Sequence, residues 1–162
     1  MLIGGLALSA WALPRATLDI DLTLWVPADD FDRVCLHLAS RYHPRTGDPV
    51  RFARKMRVLP VANDAGVRLD FLFAAYLFEE VMINRAVLRR LGSVDVRVAS
   101  LEDLILLKLP SDRGKDREDV RVILEAFGGQ LDWTYLLAVA DLLAETLEQP
   151  DLVSVLRQSR RL

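Results

Sequence analysis

Asp19 and Asp21 stand one residue apart in the stretch Leu18-Asp19-Ile20-Asp21-Leu22. In a strand, side chains return to the same face every second residue, so both carboxylates project together. Two such acids repel and cost free energy unless a cation lies between them. Hard oxygen donors of this kind suit Mg²⁺, which keeps several waters and binds substrate phosphates. A third carboxylate, Asp70, lies in Val67-Arg68-Leu69-Asp70-Phe71-Leu72-Phe73. Leu69, Phe71 and Phe73 point one way there, so Asp70 points the other. If the two strands are neighbours, three carboxylates share a face and can hold two metal ions for in-line displacement at phosphorus. The competing reading is acids on the solvated face of a sheet, and for Asp70 taken alone that is the ordinary one.

Gly4 and Gly5 form the other half of the pattern. Glycine lets the backbone approach a phosphate closely, and a helix opening there offers free N–H groups. Ser9, one turn on, adds a hydroxyl. Thirteen residues separate Gly5 from Asp19, enough for a helix and a return strand that would bring bend and acids together. The same stretch also admits an export signal. Residues 2–13 are largely apolar, and Ala10-Trp11-Ala12 has the small-x-small form of a cleavage site. Against it, no basic residue precedes Arg15, and a signal's leading segment normally carries one. The expectation is a cytoplasmic protein, with a secreted domain as the alternative.

The elements that must position these residues follow from periodicity. Residues 6–12 read as a short helix ended before Pro14, and residues 18–26 as a strand with Leu18, Ile20, Leu22 and Leu24 on its buried face. Residues 30–42 carry Phe31, Val34, Cys35, Leu38 and Tyr42 on one helical stripe. A loop with Pro44, Gly47 and Pro49 follows. Residues 54–61 and 67–73 read as strands around a turn at Asn63–Gly66, then a helix near 76–88 and a strand near 94–98. From Ser100 the pattern is helical. Ser100 with Asp103 resembles a capping box, Gly128-Gly129 stops a helix over 115–127, and Asp132 caps another. The basic end, Arg157 to Arg161, reads as frayed. The predicted fold class is α+β, a mixed β-sheet flanked by helices and followed by a C-terminal helical segment. The expected division is an α/β core over 1–99 and a helical extension over 100–162.

Bulk properties narrow the classes. The chain has 162 residues, suited to one domain or one domain with an extension. Apolar residues make up 52% and charged residues 27%, which supports a real core. A net charge of −2 creates no global field toward nucleic acid or membrane. Cys35 is the only cysteine, so no internal disulfide forms. No apolar run is long enough to span a bilayer.

Gly4-Gly5 followed by Arg15-x-Thr17-x-Asp19-Ile20-Asp21-Leu22 resembles the signature of polymerase-beta-type nucleotidyltransferases. It is most similar to the AbiEii-like branch found in bacterial toxin–antitoxin and phage-defence loci. A second match is ASLEDLILLKLPSDRGKDREDVRVIL, residues 99–124. It resembles that branch's later motif of an acid-capped helix, Leu-Lys-Leu, a linker, and Lys-Asp-x-x-Asp-Val. The resemblance implies a nucleotidyltransferase-like fold working with two Mg²⁺ ions on a nucleoside triphosphate. Asp19, Asp21 and Asp70 would hold metal, Asp70 being the weaker match. Gly4, Gly5, Ser9, Arg15 and Thr17 would sit by the triphosphate, and Lys108, Lys115, Asp116 and Asp119 match the later motif. The acceptor could be tRNA, a protein or a small molecule, and a cognate toxin or antitoxin is an expected partner. Two departures stand out. The branch often has His-Gly where this chain has Trp11-Ala12. Only three residues precede Gly4, which leaves a stub of the first strand and a sheet edge open to pairing. A degenerate, non-catalytic binding partner is therefore the alternative function.

The later motif also has a physical reading. Leu101, Leu104, Ile105 and Lys108 share a helical face, so a lysine interrupts an apolar stripe. Its ammonium either snorkels to water or meets a phosphate. Asp116 and Asp119 are either favourable acids near a helix start or groups that orient Lys108, Lys115 or Arg15. Residues 41–57 carry Arg41, Arg45, Arg51, Arg54, Lys55 and Arg57 with Asp48 as the one acid. This is either a solvated edge or a grip for phosphates. His37 and His43 have no partner at metal spacing.

Overall fold

A computed structural model describes residues 1–13 and 15–160. The chain divides into two compact units, Met1–Ala99 and Ser100–Leu162.

The first unit is a seven-stranded mixed sheet. Its strands are β1 (Leu2–Ile3), β2 (Asp19–Leu24), β3 (His43–Pro44), β4 (Val58–Ala62), β5 (Arg68–Phe73), β6 (Val87–Leu91) and β7 (Val94–Val98). They lie in the order β3-β4-β5-β2-β1-β7-β6. β2 runs parallel to β5, and β1 parallel to β7; the other neighbours are antiparallel. Four helices belong to this unit: α1 (Gly4–Ala10), α2 (Phe31–Arg41), α3 (Pro49–Met56) and α4 (Leu77–Arg85). The alternation of β2 and β5 is what builds the core. Ile20, Leu22 and Leu24 join Leu69, Phe71 and Phe73, and Leu59 and Val61 extend the same face across β4. Phe31 and Cys35 of α2 and Ala53 of α3 pack onto it, with the Phe31 and Phe73 rings 4.7 Å apart.

Three sequence expectations are corrected here. Residues 54–56 are helical, not strand: Asp48 caps α3 by accepting from Arg51 N at 3.0 Å, and Pro49 opens the helix. That cap and the proline are start signals which the alternation of residues 54–61 obscured. Arg57, at φ +57°, ends the helix and turns the chain into β4. The expected helix over 76–88 stops at Arg85, and Val87–Leu91 forms a strand the sequence reading missed. Gly92, at φ +58°, permits the two-residue hairpin that pairs Leu91 with Val94. The short β1 does not make an edge. It lies between β2 and β7, and the edges are β3 and β6. The helix end placed before Pro14 falls beside a residue outside the described ones. Among the described residues, α1 finishes at Ala10, and Trp11 N bonds Leu8 O at 2.9 Å.

The second unit contains α5 (Leu101–Lys108), α6 (Gly114–Phe127), α7 (Trp133–Thr146) and α8 (Ser154–Ser159). Ser100 Oγ accepts from Asp103 N at 3.1 Å to cap α5, and Asp132 Oδ1 accepts from Tyr135 N at 3.0 Å to cap α7. α5 is buried on nearly every side, acids included, so its polar groups need internal partners. Glu102 Oε1 accepts from Asp132 N at 2.9 Å, and Asp103 Oδ1 accepts from the Tyr135 hydroxyl at 2.7 Å. The basic end is not frayed through Ser159: Arg157 in α8 bonds Asp141 at 2.7 Å. Arg161 lies outside the described residues. Among the described residues, no helix is long and apolar enough to cross a membrane.

Candidate active site

Register decides where the acids go. In the parallel β2–β5 pair, Asp21 stands opposite Asp70 and Asp19 opposite Arg68. Paired residues share a face of the sheet, so Asp19, Asp21 and Asp70 all project from the side opposite α2 and α3. Asp19 Oδ1 and Asp70 Oδ1 are buried oxygens with no hydrogen-bond partner. Buried polar atoms are nearly always satisfied, so two orphans on one face are unusual. Burial raises the Asp70 carboxyl above the usual carboxylate range. Arg45 opposes that shift, Asp19 adds to it, and Arg68 opposes it.

The glycine bend meets the same place. Gly4 has φ +70°, and a Cβ there would fall 2.0 Å from Asp21 Oδ2. A Cβ on Gly5 would fall 2.8 Å from Thr17 Cβ and 3.3 Å from Arg15 Cγ. The bend, Arg15, Thr17 and Asp21 are therefore packed together, and only glycine fits at residue 4. Thr17 Oγ1 donates to Asp19 O at 3.2 Å, which ties the approach to β2. Ser9 Oγ is directed inward, with long contacts of 3.4 Å to Gly5 O and Arg15 O.

Three carboxylates on one face and two orphaned oxygens fit a hard cation in kind. They share the face without converging. Among the described residues, no three His, Cys, Asp or Glu side chains are gathered tightly enough to share an ion.

The residues of the later motif form a separate cluster within the helical unit. Lys108 is 9% exposed, and its ammonium donates to Asp116 Oδ1 at 2.8 Å and to Asp119 Oδ2 at 2.7 Å. Ser111 Oγ and Arg113 Nε reach Asp116 Oδ2 at 2.7 and 2.6 Å. Burial alone would raise Asp116, but hydrogen bonds from Lys108, Ser111 and Arg113 outweigh it and bring its pKa to about 2. Lys115 is exposed in the first turn of α6. Lys108 thus neither snorkels to water nor stands free on its stripe.

Sequence reasoning missed several features. Trp11 lies over Arg89, whose guanidinium carbon is 3.7 Å from the indole centroid, and Trp11 Nε1 donates to Ala99 O at 2.9 Å. Ala12 occupies the left-handed region at φ +59°, the position where the AbiEii-like branch often has glycine. Arg68, two residues before Asp70 in β5, shares its face by strand alternation, and register sets it opposite Asp19.

The mixed sheet with acids on one face is a nucleotidyltransferase-like architecture. Within that class, the chain belongs to the family described as "Nucleotidyltransferase of unknown function (DUF6036)", whose profile matches residues 1–155. An antigenic nucleotidyltransferase-like protein from Paracoccidioides brasiliensis, known from its crystal structure, is 17% identical. The similarity covers 96% of this chain and 83% of that one, at a TM-score of 0.48. No curated protein matches the chain.

Proposed function

We propose that this protein is a Mg²⁺-dependent nucleotidyltransferase of the AbiEii-like, toxin-type kind. It would move a nucleoside monophosphate from a nucleoside triphosphate to an acceptor hydroxyl and release pyrophosphate. The observation that carries this reading is the register that sets Asp21 opposite Asp70 with Asp19 beside them, two of their oxygens buried and unpartnered. Asp19, Asp21 and Asp70 would hold the ions, which supply charge neutralisation of the phosphates and a more acidic attacking hydroxyl. The chain's own contribution is placement. Gly4 leaves room for the Asp21 carboxylate, and Gly5, Arg15 and Thr17 border the space for the triphosphate. Asp19 Oδ1 and Asp70 Oδ1 accept from no donor, which leaves those two oxygens available to a cation. Lys108 with Asp116 and Asp119 holds the start of α6 on α5.

The test is transfer of label from α-labelled nucleoside triphosphates in Mg²⁺ and host lysate. Asp21→Asn is expected to reduce it by about 10²–10³-fold, the scale of losing one element of charge stabilisation. Unchanged turnover in that variant would remove the mechanism.

A second reading is a non-catalytic binding partner, such as an antitoxin. Trp11 favours it: where the AbiEii-like branch often has histidine, this indole is committed to Ala99 O and Arg89. Calorimetry separates the two readings. Tight, Mg²⁺-linked nucleotide binding supports the enzyme, and its absence supports the partner.

A further inference from the structure

A cavity of about 660 Å³ opens within the helical unit, between α6 and α8. Its walls come from Arg117, Arg121 and Leu124 on α6, Trp133 at the start of α7, and Val155 and Arg160 on and just after α8. None of the site residues assigned above lines it. Its volume is that of a small-molecule site.

Helical spacing explains the basic wall. Residues 117, 121 and 124 recur on one face of α6, while Asp116, Val120 and Ile123 turn inward and are buried. Leu124 is only half-buried and Val155 is 49% exposed, so the walls keep apolar surface that the fold itself does not cover. The indole of Trp133 is held in place, since its Nε1 donates to Gly128 O at 2.8 Å. That bond satisfies the ring's one polar group, and what remains for a ligand is apolar ring surface. A Cβ on Gly128 or Gly129, which also line the cavity, would meet nothing within 4 Å, so the turn after α6 leaves this end open.

Charge decides what kind of ligand fits. Among the described residues, three guanidiniums line the cavity against a single carboxylate, Glu125. Arg121 is tied to Glu118 and Glu125, and Arg117 to Asp112 at 2.9 Å. These pairs are solvent-exposed, so each is weak and open to exchange. Among the described residues, the Arg160 guanidinium makes no hydrogen bond or ion pair.

We propose that this cavity binds a small aromatic anion. Its planar body lies against Trp133, Leu124 and Val155, and its carboxylate or phosphate head is held by Arg160 and Arg117 through paired N–H donors. Such a ligand bridges α6 to α8, so its binding also stabilises the fold.

The test is calorimetric titration of the full chain, across a salt series, with 2-naphthoate, 2-naphthyl phosphate, the neutral 2-naphthylmethanol and the aliphatic octanoate. Wild type is expected to bind one naphthoate per chain, about tenfold more tightly than the alcohol and more tightly than octanoate. The urea midpoint should rise with naphthoate present. Arg117→Gln with Arg160→Gln should erase the preference for naphthoate over the alcohol. Arg51→Gln with Lys55→Gln, which removes equal charge from α3, should leave it intact. Trp133→Leu should erase the preference for naphthoate over octanoate. Arg117 and Arg160 are exposed, so their variant keeps the fold and carries the test should Trp133→Leu unfold the unit. The carboxylate and phosphate arms report which head is held. Failure of wild type to bind either naphthyl anion overturns the proposal, as does equal binding of the alcohol or of octanoate, or an unchanged preference in the Arg117/Arg160 variant.

Discussion

The two units treat buried acids in opposite ways. In the helical unit Asp103, Asp116 and Asp119 each accept from a hydroxyl or a cation, and Asp116 gathers three side-chain donors. In the sheet unit, Asp19 and Asp70 keep an oxygen out of water with nothing to accept from. Satisfied acids fix a fold; unsatisfied ones are a cost to stability that a ligand can relieve. The contrast separates two acid pairs that look alike on paper, Asp19/Asp21 and Asp116/Asp119.

The contrast can be broken most forcefully at Lys108. Lys108→Met removes the ammonium shared by two buried carboxylates, with Arg113 and Ser111 still on Asp116, which should cost about 3 kcal/mol in urea unfolding. An unchanged midpoint would mean that the lysine is not a structural staple. Gly4→Ala comes next. The left-handed backbone costs a non-glycine residue about 1–2 kcal/mol, and the new methyl also displaces the Asp21 carboxylate. Transfer should fall with stability, and a fully active, fully stable alanine variant would refute the close packing of bend and acid.

Acid titration sharpens the comparison. Asp116 is depressed to about 2 by Lys108, Ser111 and Arg113 acting against burial. The stability it contributes, about 2 kcal/mol, is present above an unfolded value near 3.8 and is lost as pH falls toward 2. Asp70 has the opposite sign. Its folded pKa is raised, first by burial, so its protonation favours the fold as pH drops, and that benefit disappears as pH rises through the folded value. Asp70→Asn should raise stability at neutral pH while removing transfer, the trade-off expected of a functional acid. A destabilised Asp70→Asn would reclassify that carboxylate as structural. The smallest expected effect is at the α7 cap, where Asp132→Ala should cost about 1 kcal/mol in the same unfolding assay.

Some of this was legible in the chain itself. The alternation over residues 18–24 and 67–73 gives strands with acids on the face opposite their leucines and phenylalanines, because strand periodicity is local. Ser100 and Asp132 announce their helices through short-range caps, and the glycine bend with the acid pair carries the family resemblance. Tertiary structure alone decided the rest. The parallel β2–β5 register sets Asp70 beside Asp21 and Arg68 beside Asp19, since hydrogen bonds between distant segments leave no local trace. The partners of Lys108 were likewise invisible until the helices packed, because a lysine on an apolar stripe looks the same whether it meets water, a phosphate or two buried aspartates.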